Sequence, residues 1–142
     1  MADRVYGAEE IQDRLQIADL YDRQLAAAEA WDFERYDTTF AADAEIDLRD
    51  FDQPVQRYPQ YRAWLQSLAA VMPKAQRITG GLRLELAGVT ATARVPVACF
   101  VWFDTGDGPQ LTRTGLFYND TLRRTADGWR IVARYEELSW QA

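Results

Sequence analysis

The chain has 142 residues, 48% of them hydrophobic and 13% aromatic, and a formal net charge of −6. That is enough apolar material for one domain, residues 1–142, with a real core, and the negative balance excludes the basic face that nucleic acid requires. The sequence contains no histidine and one cysteine, Cys99, which excludes Ser-His and Cys-His nucleophiles, histidine-based zinc sites and an internal disulfide.

In chain order, Ile11, Leu15, Ala18, Leu25 and Ala28 recur at helical spacing, flanked by Leu20 and Tyr21. They predict a helix from about residue 8 to about residue 29. Asp32 is a candidate N-cap for a second helix reaching about Ala41, with Phe33, Tyr36 and Phe40 on one face. AEIDL then alternates as a strand. RDFDQPVQRYPQ reads as a loop, Pro59 opens a third helix over YRAWLQSLAAV, and Pro73 ends it. Four strands follow. Leu82 to Leu86 and Val89 to Phe103 are joined at Ala87-Gly88, and DTGDGPQ leads to Leu111 to Arg124. TADG then turns into Trp129 to about Leu138. Helices followed by a run of strands indicate an α+β fold: three helices packed on a strongly curved, mainly antiparallel sheet, a cone with room for a small ligand inside.

No apolar run approaches the roughly 18 residues of a membrane span, so no membrane partner is expected. The polar opening MADRVYGAEE does not read as a signal peptide. With one cysteine, the expectation is a reducing, cytoplasmic setting. No loop has calcium-ligand spacing, so no metal is expected. Proton chemistry would fall to Asp, Glu, Tyr, Lys or Cys.

Two stretches carry a family resemblance. IADLYDRQLAAAEAWDFERYDTTFAADAEID resembles the opening of SnoaL-like proteins of the nuclear-transport-factor-2-like superfamily, through Ile17, Asp19, Leu20, Glu29, Phe33, Phe40, Asp43, Ile46 and Asp47. YNDTLRRTADGWRIVAR resembles the same family's closing strands, through Tyr118, Asp120, Arg124, Trp129, Arg130 and Arg134. The resemblance implies the cone fold, no cofactor, a small-molecule ligand and a homodimer through the exposed sheet face. It further implies a lyase, isomerase or cyclase, as in scytalone dehydratase, hexachlorocyclohexane dehydrochlorinase, ketosteroid isomerase and polyketide cyclases.

Carried over by position, the family's pocket carboxylate falls on Glu29 and its first-helix Tyr or Lys on Gln24. The histidine position falls on Arg77 and the sheet arginine on Arg124. A guanidinium cannot shuttle protons near neutral pH, so the usual acid–histidine dyad becomes an acid–guanidinium pair. Two readings of Glu29 stand side by side: a base facing the space left by Ala26 to Ala28, or a solvated charge at a helix end. Tyr21 is a candidate donor to a carbonyl and Asp47 an alternative acid. Trp102, Phe117 and Tyr135 are read as core or pocket wall, and Asn119 as a polar anchor on the face of Phe117. A cone that only binds a ligand or dimerises is the alternative function.

Overall fold

The computed structural model describes Met1–Ala142. A long helix α1 (Ala8–Ala30) and a short helix α2 (Phe33–Asp37) precede strand β1 (Phe40–Asp47). A 3₁₀ turn (Arg49–Phe51) and the short strand β2 (Gln56–Arg57) lead into α3 (Tyr58–Ala69), which has Pro59 in its first turn as expected. Five strands follow: β3 (Lys74–Thr79), β4 (Arg83–Ala87), β5 (Thr90–Phe103), β6 (Gln110–Thr125) and β7 (Gly128–Gln141). The sheet runs β2-β1-β7-β6-β5-β3, with β4 also pairing β5. Only the β1–β7 pairing is parallel. The result is the expected α+β cone, with the helices on one face of a mostly antiparallel sheet.

The core lies between α1 and the inner faces of β1, β5, β6 and β7. Ile17, Leu20, Ile46, Leu122 and Ile131 are almost fully buried, each such side chain contributing about 1.5–3 kcal/mol. The buried face of α1 is rotated from the predicted stripe. It carries Asp13, Ile17, Leu20, Tyr21, Gln24 and Ala27, while Ile11 and Leu15 are 46% and 66% exposed. Two polar residues belong to the buried face because the sheet supplies their partners. Asp13 accepts hydrogen bonds from Trp129 Nε1, at 3.2 Å, and from Arg124.

Two further differences shape the site. Helix α2 stops at Asp37 rather than near Ala41, because the Thr39 hydroxyl donates to the Tyr36 carbonyl (2.7 Å) and Phe40 already enters β1. Strand β3, absent from the sequence reading, pairs along β5 from Lys74↔Trp102 to Thr79↔Val97. Its polarity is inverted. Arg77 and Thr79 face the interior cavity, while Ile78 on the other face is 57% exposed.

Candidate active site

A cavity of about 290 Å³ lies between the three helices and the concave sheet face. Twenty of its 28 lining residues are hydrophobic, and its only charged wall residues are Asp32, Arg77 and Glu136. Asp32 is engaged at its rim, accepting from the Arg35 amide as the N-cap of α2. Aromatic side chains make up much of the wall. Tyr36, Tyr61 and Trp64 of the wall form a connected cluster with Phe40 and Tyr58 behind them, neighbouring ring centroids 4.7–6.5 Å apart.

Beneath the cavity sits a buried ion pair. Arg134 donates through Nε to Asp120 Oδ1 and through Nη2 to Asp120 Oδ2, both at 2.8 Å, and both side chains are 0% exposed. This fork-to-fork geometry is the one in which a guanidinium binds a carboxylate best. Three groups pack around it, and Arg134 Nη1 has no hydrogen-bond partner. The Tyr21 hydroxyl donates to Asp120 Oδ2 at 2.5 Å. Arg134 Nη2 also donates to Gln24 Oε1 at 2.7 Å, and Gln24 Nε2 donates to the Thr39 hydroxyl at 2.8 Å. The guanidinium lies 3.7 Å from the Tyr118 ring centroid, a cation–π contact strengthened by desolvation.

Glu136 projects into the cavity wall from the same strand as Arg134, two residues on. The Tyr61 hydroxyl reaches its Oε1 at 3.5 Å, and Tyr36 and Tyr61 face each other oxygen to oxygen at 3.5 Å. Burial holds the Glu136 carboxyl above the ordinary glutamate range, with Arg134 and Arg77 pulling it back in part. Arg77, across the wall on β3, makes no side-chain hydrogen bond or ion pair. The cavity thus holds one carboxyl group with raised affinity for its proton and one guanidinium with free donors.

Among the sequence candidates, Tyr21, Gln24 and Arg77 line this cavity. Tyr21 and Gln24 hold Asp120 and Arg134 rather than offering free groups: the Tyr21 proton is directed at Asp120, and burial raises the phenol well above its ordinary value. Glu29 does not line the cavity. It is exposed, because two residues beyond the buried Ala27 the α-helix has turned about 200°. Ala27 and Ala28 do line it.

Arg124 is not the arginine at the cavity floor. It sits at the far end of β6 with Asp13 and Glu9, its guanidinium 5.2 Å from the Trp129 ring centroid. Asp47 points away from the cavity and is held below its ordinary value by hydrogen bonds from Arg49. Trp102 alternates away from Val101 to the outer face, where Lys74 lies 5.5 Å from its ring centroid. Phe117 and Asn119 do share a face, but it is the outer one. Arg94 stacks 3.8 Å from the Phe117 ring centroid and donates to Asn119 Oδ1 at 2.6 Å. Tyr135 also faces out, donating to Asp50 at 2.8 Å.

Glu136 was missed, and Tyr135 misplaced, for one reason. The β6–β7 register shifts between Thr121↔Ala133 and Leu122↔Ile131, a bulge at Val132. The extra residue reverses the alternation, so inward Ile131 is followed by inward Arg134 and Glu136 rather than by Ala133 and Tyr135. The spacing by two of Arg134 and Glu136 is visible in the sequence, but Arg130 and Glu137 are charged in the same strand, so it does not single the pair out.

The SnoaL-like domain family model matches residues 9–135. This chain belongs to the SnoaL-like family. The uncharacterized protein Rv2910c of Mycobacterium tuberculosis is 35% identical to this SnoaL-like chain over 133 residues, 93% of this chain and 89% of that protein. Among solved structures, Kfla4162 of Kribbella flavida superposes with a TM-score of 0.84 at 24% identity, covering 93% of this chain and 94% of that one. The hexachlorocyclohexane dehydrochlorinase LinA-type3 of Novosphingobium barchaimii LL02 does so with 0.80 at 17%, covering 93% and 90%. At these identities the solved structures show a shared α+β cone fold. No helix of the chain is long and apolar enough to cross a membrane.

Proposed function

We propose that this SnoaL-like protein is a cofactor-independent lyase, isomerase or cyclase. It moves a proton on a small, largely apolar, oxygenated or carbonyl-bearing metabolite held in the cone, and it works as one domain over residues 1–142 in a reducing cytoplasm. The observation that carries this reading is Glu136: a carboxyl group in an apolar wall, its proton affinity raised by burial, with an unengaged guanidinium on the same wall. Glu136 takes or gives the proton. Arg77 receives the negative charge that develops on the substrate oxygen, where a preorganised cation in a dry site is most effective. Arg134, Asp120, Gln24 and Tyr21 are positioning residues that fix β7, and with it Glu136, against α1.

The direct test uses a probe that needs only a base in an apolar pocket. In a nitrobenzisoxazole, Glu136 would take the ring C–H proton. The C–H electron pair then forms the nitrile, and the N–O bond breaks to release a cyanophenolate that is read by absorbance. Glu136→Gln should lose most of the rate and Glu29→Gln none of it. Equal rates in Glu136→Gln and wild type would remove Glu136 from the mechanism.

A second reading, a cone that binds or dimerises without catalysis, is favoured by one observation: Tyr21 and Gln24 are spent on the buried ion pair. It predicts no Glu136-dependent proton abstraction. Both readings allow a homodimer through the outer sheet face. That face exposes Ile78 and Trp140 beside Pro96, Ala98 and Phe117, which line a shallow apolar groove. Light scattering coupled to size exclusion should give twice the chain mass at micromolar concentration. A monomer there contradicts the dimer.

A further inference from the structure

We infer that the ligand of this cavity is an organic anion, a ring-bearing monocarboxylate whose carboxylate docks on Arg77. The inference deepens the function proposed above and rests on its use of the same cavity. The paired arginines of this protein set the contrast. Arg134 holds Asp120, Arg124 holds Asp13, Arg94 holds Glu137, Arg62 holds Asp37 and Arg49 holds Asp47. Arg77 holds no carboxylate, although it is the only cation in the cavity wall.

Glu136 is not its counter-ion. The two lie beyond ion-pair distance, and burial outweighs both guanidinium groups in holding the Glu136 carboxyl above its usual range. The other groups facing the region are neutral or already matched. Tyr36, Tyr61, Tyr118 and Cys99 all have raised proton affinity through burial. Arg134 is cancelled by Asp120, and Asp32 lies at the rim, its carboxylate accepting from the Arg35 amide. Arg77 is therefore a cation without an ion-pair partner in a largely apolar wall, a costly arrangement that a ligand anion relieves. A guanidinium fork matches a carboxylate through two parallel hydrogen bonds. The rest of the wall, with Phe33, Tyr36, Tyr61 and Trp64, fits the flat apolar body of a ring and offers it stacking partners.

The experiment is isothermal titration of the full chain with naphthoate and with naphthamide, a neutral analogue of nearly the same shape. Naphthoate should bind about 10–100-fold more tightly, the difference expected for a charge-assisted hydrogen-bonded pair. Arg77→Gln should abolish the preference and Arg77→Lys should keep part of it, with near-ultraviolet circular dichroism confirming the fold of both. Equal affinity for the two probes, no binding of either, or a preference that survives Arg77→Gln would overturn the inference. Glu136→Gln separates the two proposals. It should retain the naphthoate preference while losing proton abstraction. A preference without any Glu136-dependent proton abstraction would sink the catalytic reading alone. Glu136-dependent proton abstraction without a preference would sink the anion inference alone.

Discussion

Glu136→Gln is expected to slow proton abstraction from the nitrobenzisoxazole probe by about 10²–10⁴-fold, the usual contribution of a positioned general base. Glutamine keeps the shape of the side chain and its contact with the Tyr61 hydroxyl, so the loss reports the missing proton acceptor rather than a rearranged wall. The pH dependence follows from the same burial. Only the ionised carboxylate accepts a proton, and burial raises the Glu136 pKa, so the wild-type rate should climb with pH and level off above the ordinary carboxylate range. Arg77 and Arg134 both oppose that rise. Arg77→Gln should therefore move the profile to still higher pH, besides lowering the plateau through loss of oxyanion stabilisation. A mutant profile displaced toward lower pH would contradict this electrostatic picture.

The second large effect is on stability. Asp120→Asn keeps the volume of the side chain but leaves Arg134, which is fully buried, without its counter-charge. Removing one partner of a buried pair costs about 3–5 kcal/mol, which for a domain of this size lowers the melting temperature by roughly 10–20 °C. The Tyr21 hydroxyl and both Arg134 hydrogen bonds to the carboxylate are disturbed at once. Calorimetry of the two proteins at the same pH checks it. A shift of only a few degrees would mean that the Gln24 and Tyr118 contacts suffice to hold the guanidinium. Replacing both members by apolar residues should be far less costly than the single change, because the desolvation cost of the pair leaves with it.

The fold was legible wherever one face of an element is simply apolar. The long β5 strand alternates cleanly, with Ala91, Ala93, Val95 and Val97 inward. Pro59 and Pro73 bracket α3 for steric reasons that need no tertiary context. The cavity wall was harder to read because its chemistry breaks the rule that apolar residues point inward. Strand β3 turns Arg77 and Thr79 in and Ile78 out, which hides it as a strand. The buried side of α1 holds Asp13 and Gln24, whose partners come from distant strands, so an apolar stripe placed it a fraction of a turn away.

The site residues divide along the same line. Arg77 and Gln24, taken from family position, and Tyr21, read as a phenolic donor, do meet at the cavity, whereas Glu29, also taken from family position, lies on the exposed side of its helix. The arginine beneath the cavity is Arg134, not Arg124, and the carboxyl group deep in its wall belongs to Glu136. Both sit beyond a bulge that no single-sequence periodicity anticipates, since one inserted residue inverts every side chain after it.

The proposed chemistry turns on the state of one carboxyl group, and carbon-13 NMR titration of the Glu136 side chain measures it directly, with Glu136→Gln used to assign the signal. The midpoint should lie clearly above about 4.3, the value of an unperturbed glutamate, and should rise further in Arg77→Gln. A midpoint at or below that value, unmoved by the loss of Arg77, would mean that Glu136 is a solvated charge and that the cavity lacks the acid–base group assigned to it.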